Sequence, residues 1–205
     1  MSNMFQDCHQ LKEIDVSQFK TDNVENMARM FEGCSVVTSL DLRNFKTQKV
    51  KDMTKMFEFC NGLISLDFSY FDTSNVIYML DMFAELKDLK YLDVSKFNAI
   101  NVKNMAGMFY DCNALTPLDV SKFNTSNVED FSYTFYGLSS VSSLNLSSFY
   151  TNNSNDMCFM FYNCRNLRIL DLSNFDRSKE TDMHYMFGGC SILTSLDFQN
   201  LLLVH

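Results

Sequence analysis

The stretch Met56-Phe57-Glu58-Phe59-Cys60-Asn61-Gly62-Leu63-Ile64-Ser65-Leu66-Asp67-Phe68-Ser69-Tyr70-Phe71-Asp72-Thr73-Ser74-Asn75-Val76 recurs, with variation, along the whole chain. Phe5, Phe31, Phe57, Phe83, Phe109, Phe135, Phe161 and Phe187 are each 26 residues apart, with no insertion or deletion. A second phenylalanine keeps the same period at Phe19, Phe45, Phe71, Phe97, Phe123, Phe149 and Phe175. A fixed period of about 20–50 residues marks a stacked-repeat architecture, in which one unit cannot bury its apolar side alone and its neighbours supply the walls. Residues 1–205 therefore read as a single solenoid of about eight coils, incomplete at both ends.

Within one coil, Leu63, Leu66 and Phe68 follow an L-x-x-L-x-L spacing, and the last two alternate with Asp67 and Ser69 as in a short, half-buried strand. Asp72-Thr73-Ser74-Asn75 follows, a cluster of turn and helix-capping types. Val76, Met79, Met82, Phe83 and Leu86 then recur at the spacing of one apolar helix face. The expected fold is α/β: a leucine-rich-repeat solenoid with short parallel strands on its concave face and short helices on its convex face. Strands pair at about 4.8 Å and helices pack at about 8–10 Å, so such a stack bends toward the sheet.

The columns divide by role. The fourteen methionines and six of the seven cysteines fall on repeat positions that read as core, since leucine replaces cysteine at Leu86 and Leu138. No C-x-x-C pair is present, and stacked side chains that point in parallel suit a disulfide poorly, so the thiols are expected to be free. The coil over residues 131–154 departs most, with Phe131, Thr134, Leu138, Asn145 and Ser154 in place of the usual residues. An acidic column, Asp15, Asp41, Asp67, Asp93, Asp119, Asp171 and Asp197, lies between inward-facing strand positions and should point outward. Two readings are open for it. Each carboxylate accepts hydrogen bonds from the serine two residues on or from backbone N–H groups, or the column is an acidic strip for a basic partner or for divalent cations.

Positions that vary from coil to coil are better candidates for recognition. Tyr70, Tyr91, Lys96 and Lys122 form the most promising group beside the expected sheet, because tyrosine and basic groups are useful at interfaces. A net charge of -8 argues against nucleic acid and against an anionic membrane surface. No run approaches the roughly 20 apolar residues of a membrane span. His9, His184 and His205 are scattered, and no phosphate loop, nucleophile elbow or metal-spaced cluster is present, so neither enzyme activity nor a cofactor is expected.

The run Asn101-Val102-Lys103-Asn104-Met105-Ala106-Gly107-Met108-Phe109-Tyr110-Asp111-Cys112-Asn113-Ala114-Leu115, followed by Leu118-Asp119-Val120-Ser121-Lys122-Phe123-Asn124-Thr125-Ser126-Asn127-Val128, resembles the repeat of the BspA-like leucine-rich-repeat surface proteins. That resemblance implies a bacterial cell-surface or secreted protein, used in adhesion or in binding a host or extracellular-matrix protein. The rival expectation is a structural spacer with no ligand of its own. The chain begins and stops inside a repeat, which reads as a fragment or a shortened product whose uncapped ends favour end-to-end association.

Overall fold

A computed structural model describes residues 1–176 and 181–197 of the chain. His205 lies outside the described residues. The coils stack in register, one per 26 residues, around one continuous apolar core that runs from Val16 to Met186. Both phenylalanine columns run through it. Rings of the first column follow one another at 5.4–6.1 Å between centroids, from Phe5 to Phe187.

The strand side of the expectation is met only in part. Among the described residues four three-residue strands form: β1 (Ser65–Asp67), β2 (Tyr91–Asp93), β3 (Ile169–Asp171) and β4 (Ser195–Asp197). They pair in parallel as β1 with β2 and β3 with β4, each residue opposite the one 26 positions on. The ladder is not continuous. Pro117 occupies the column of Ser65 and Tyr91, brings no N–H to the next bond, and strand pairing stops at β2. It resumes with a single bridge between Ser143 and Ile169.

The convex helices do not exist among the described residues, and the α/β leucine-rich-repeat expectation is corrected on this point. Each coil instead places two residues in the left-handed region. Asn3, Arg29, Lys55, Asp81, Gly107, Tyr133, Phe159 and Tyr185 form one such column, with φ between 51° and 60°. Asp7, Gly33, Phe59, Glu85, Asp111, Gly137, Asn163 and Gly189 form the second, with φ between 52° and 75°. A right-handed helix cannot run through either position. The arm becomes a series of tight turns whose N–H groups alternate in direction. Met30, Glu32 and Cys34 donate within the coil, three residues back; Met27, Arg29, Phe31 and Gly33 donate to Asp52, Thr54, Met56 and Glu58 of the next coil. Turns of this kind place every third side chain inward, which is why Val76, Met79 and Met82 mimic a helix face.

With no helix, the expected bend loses its cause, because both sides of the coil are joined to the next by backbone hydrogen bonds. A ladder of one-residue parallel bridges runs through Asn26, Asp52, Tyr78, Asn104, Asp130, Asp156 and Asp182 without a gap. The residues read as helix caps also serve the stack. Thr47, Thr73, Thr125 and Thr151 are buried, and each hydroxyl donates to a carbonyl of the next coil at 2.9–3.1 Å while accepting that same residue's N–H at 2.7–2.8 Å. Asn75, Asn101, Asn127 and Asn153 reach back to carbonyls of the preceding coil at 2.6–2.8 Å. Among the described residues no helix is long and apolar enough to cross a membrane.

The cysteine column behaves as expected in being free, and adds a bond that spacing did not show. Cys34, Cys60, Cys112, Cys164 and Cys190 each donate a thiol to the phenylalanine carbonyl 29 residues earlier, at 2.9–3.2 Å. Burial pushes the Cys34 thiol up to about 11 and Cys112 up to about 12, so these are inert packing groups rather than nucleophiles. The divergent coil keeps its bonds with other atoms. Thr134 donates to Phe131 and Met105 carbonyls where a methionine usually stands, and Asn145 accepts the Ser147 N–H as an aspartate would.

Left-handed geometry gives a direct test. At Gly137 (φ +72°) an added Cβ would press on the Asp111 side chain and lie 3.3 Å from its Cα. Gly137→Ala should destabilise the chain by about 1–2 kcal/mol in urea unfolding. Ser139→Ala, two residues away and outside the left-handed column, should cost less than about 0.5 kcal/mol. Far-UV circular dichroism of the parent should lack a helical signature.

Candidate functional site

The acidic column faces outward on the strand side, and its carboxylates make bonds within their own coil. Asp15, Asp67, Asp93, Asp119 and Asp171 each accept the N–H of the serine two residues on, at 2.8–2.9 Å; Asp41 accepts that of Arg43 at 3.1 Å. These are side-chain-capped turns, and the aspartates that close them stack one coil apart, with Asp67 opposite Asp93 and Asp171 opposite Asp197. Among the described residues no three His, Cys, Asp or Glu side chains are grouped to hold a metal ion.

Hydrogen bonding from the Ser17, Ser95, Ser121 and Ser173 N–H and hydroxyl groups holds Asp15, Asp93, Asp119 and Asp171 below the ordinary carboxylate range. At Asp41 the Arg43 guanidinium acts first and its N–H second, taking the carboxyl down to about 2.

Tyr70 and Tyr91 are 58% and 53% exposed, and Lys96 and Lys122 are exposed as well. Tyr70, Lys96 and Lys122 hold the same position in three successive coils, and Tyr91 is the first residue of β2. In the coils where asparagine takes this position, Asn44 and Asn174 donate to the Ser17 and Ser147 carbonyls of the preceding coil. The four candidates thus share the strand face, and neither tyrosine ring stacks on another ring among the described residues.

The opposite, turn-built face carries a feature the sequence reading missed. Tyr110, Tyr136 and Tyr162 stack in one file, with centroids 4.5 and 5.2 Å apart. Tyr133, Phe159 and Tyr185 stack in a second file at 5.0 and 5.1 Å. Tilted contacts at 5.4–6.2 Å join the two files into one patch of six rings. The second file sits on the first left-handed column, where the backbone turn throws the side chain outward. Earlier coils fill the same positions with ion pairs: Arg29 with Glu32 at 2.9 Å, and Lys55 with Glu58 at 3.0 Å and with Asp81 at 3.3 Å. The change from charge to aromatic along two columns was present in the sequence at 26-residue spacing, but reading that arm as a helix scattered these residues around it.

Between the two halves lies a cleft of about 580 Å³, opened by the small residues Ala84, Ala106 and Gly107. Phe59 stands on one side, Tyr110 and Tyr133 on the other, and Glu58, Asp81, Glu85 and Asp130 contribute carboxylates. Burial pushes the Glu58 and Asp81 carboxyls up, against the pull of Lys55. A second groove of about 570 Å³ is lined by Asn101, Asn127, Asn153, Asn155, Lys103 and Glu129. Three of its asparagines are already spent on the preceding coil and Lys103 pairs with Glu129 at 3.4 Å, so this groove follows from how the coils are tied together.

The repeat matches a family described as "Mycoplasma protein of unknown function, DUF285", over residues 1–91, 39–143 and 90–199. The chain belongs to that family. Three overlapping matches to one chain agree with the repetition seen in its coils, and the DUF285 description assigns no activity. Among curated proteins, none matches this DUF285 chain.

The depressed aspartates of the strand face give a pH dependence of definite sign. Their folded pKa values lie below the unfolded ones, so the stability they add is present above about pH 4 and is lost as pH falls toward their folded values. The melting temperature should therefore fall between about pH 4 and pH 2. Asp93→Asn with Asp119→Asn, which copies Asn145 and keeps the turn, should flatten that fall in melts followed by circular dichroism.

Proposed function

We propose that this DUF285 chain is a protein-binding repeat module and that the six-ring patch on its turn face is the binding surface. The observation that carries the reading is the patch itself: Tyr185 is 66% exposed, and the ring files lie on a scaffold whose backbone needs none of them. Aromatic residues are enriched at protein interfaces because they bury large area at little entropic cost. Two left-handed residues per coil hold the rings in place before any partner arrives, which limits the ordering cost of association. The resemblance to BspA-like surface repeats supports a cell-surface or secreted setting and an adhesive role toward a host or extracellular-matrix protein. The exposed group Tyr70, Tyr91, Lys96 and Lys122 on the strand face is the competing surface on the same module.

Two triple variants separate these surfaces in a binding panel of extracellular-matrix and cell-surface proteins. Tyr136→Ser, Tyr162→Ser and Tyr185→Ser should lower the affinity of a saturable partner at least tenfold, while circular dichroism stays that of the parent. Tyr70→Ala, Tyr91→Ala and Lys96→Ala should leave it within about twofold. The reverse pattern would move recognition to the strand face. A panel with no saturable partner would leave the module as a spacer.

A further inference from the structure

We infer that the cleft at the head of the aromatic patch receives a lysine or arginine side chain from the bound protein. This deepens the protein-binding reading and rests on it. The cleft is bounded by the rings of Phe59, Tyr110 and Tyr133, floored by Ala106 and Gly107, and lined by the carboxylates of Glu58, Asp81, Glu85 and Asp130. Four carboxylates face two lysines at the margin: Lys55 pairs with Glu58 and Asp81, and Lys87 pairs with Glu85 at 2.8 Å. Asp130 accepts from Ser132 and Asn104, neutral donors that leave its charge uncompensated. The cleft is therefore net negative.

A second observation points the same way. The Glu58 side chain, only 9% exposed, already takes one ammonium: Lys55 Nζ donates to its Oε1 at 3.2 Å and lies 3.0 Å from its Oε2. An entering ammonium or guanidinium would make the same kind of charge-assisted hydrogen bond to the Asp130 carboxylate, which has only neutral donors. The apolar stem of the same side chain would pass between the rings, and its charge would lie against their faces. An acidic side chain would meet repulsion, and an aliphatic one would leave the carboxylates desolvated, so the cleft discriminates by charge. The continuous patch beyond Tyr133 then takes the apolar residues that flank the basic one.

The test uses the full chain and a fluorescent nonapeptide with one central arginine flanked by leucine and tyrosine, beside a twin in which citrulline replaces the arginine. Citrulline keeps the shape and removes the charge. The arginine peptide should bind at least tenfold more tightly than its twin at low salt, and the gap should narrow as salt rises. On binding, the Gly107 and Ala106 amide signals should move in nuclear magnetic resonance spectra. Asp81→Asn with Glu85→Gln removes two charges and keeps the side-chain shapes, and asparagine is well suited to the left-handed position of residue 81. This variant should fold as the parent does and lose the preference for arginine. Equal binding of the two peptides, an unchanged preference in the double variant, or no binding of either peptide would overturn the cleft assignment. Equal binding that still disappears in the Tyr136, Tyr162 and Tyr185 serine variant would overturn the cleft alone and leave the aromatic surface standing.

Discussion

Two left-handed residues in every coil are the constraint on which the rest depends. Twelve of the sixteen are not glycine; five of those are asparagine or aspartate, which tolerate this backbone, and the other seven cost roughly 1–2 kcal/mol each of local conformational energy. No single coil recovers that cost, because the turn they create points half of its N–H groups away from the coil. Stacking recovers it. Once a second coil is in place, residues such as Met27, Arg29, Phe31 and Gly33 find carbonyls to receive them. The strain and its compensation lie in different coils, which makes the fold cooperative between neighbours although each coil contacts little beyond them.

Polar side chains complete this arrangement. A buried threonine hydroxyl that both donates to and accepts from one residue of the next coil fixes the separation and register of the two chains at that point. A cysteine thiol does the same more weakly from inside the core. Between these tethers, phenylalanine rings and methionines fill the interior. The apolar columns supply most of the favourable burial, and the polar columns decide which coil sits against which.

Much of this was legible in the sequence. The period, the core columns, the free thiols and the parallel register of the strand positions all follow from spacing. The arm after Val76 was not legible as a turn series, because an apolar residue every third place satisfies both that geometry and a helix face. A discriminating signal existed in Gly33, Gly137, Asn163 and Gly189, residue types that favour left-handed backbone and share one column. Phe59 and Glu85 in that same column obscured it. The aromatic patch was lost for the same reason: Tyr110, Tyr133, Tyr136 and Phe159 converge only when the arm is wound as turns. The outward acidic column was visible, whereas its closing of local turns depended on backbone geometry.

The gap-free bridge ladder from Asn26 to Asp182 has a consequence for how such a protein can change over generations. One residue inserted in any coil would put every later bridge, threonine tether and ring stack out of step. Length is therefore inherited in whole coils. Outward positions carry no such restriction, so Lys55, Asp81 and Tyr133 occupy one column without disturbing its backbone. Duplication sets the reach of the molecule, and substitution rewrites its surface one coil at a time.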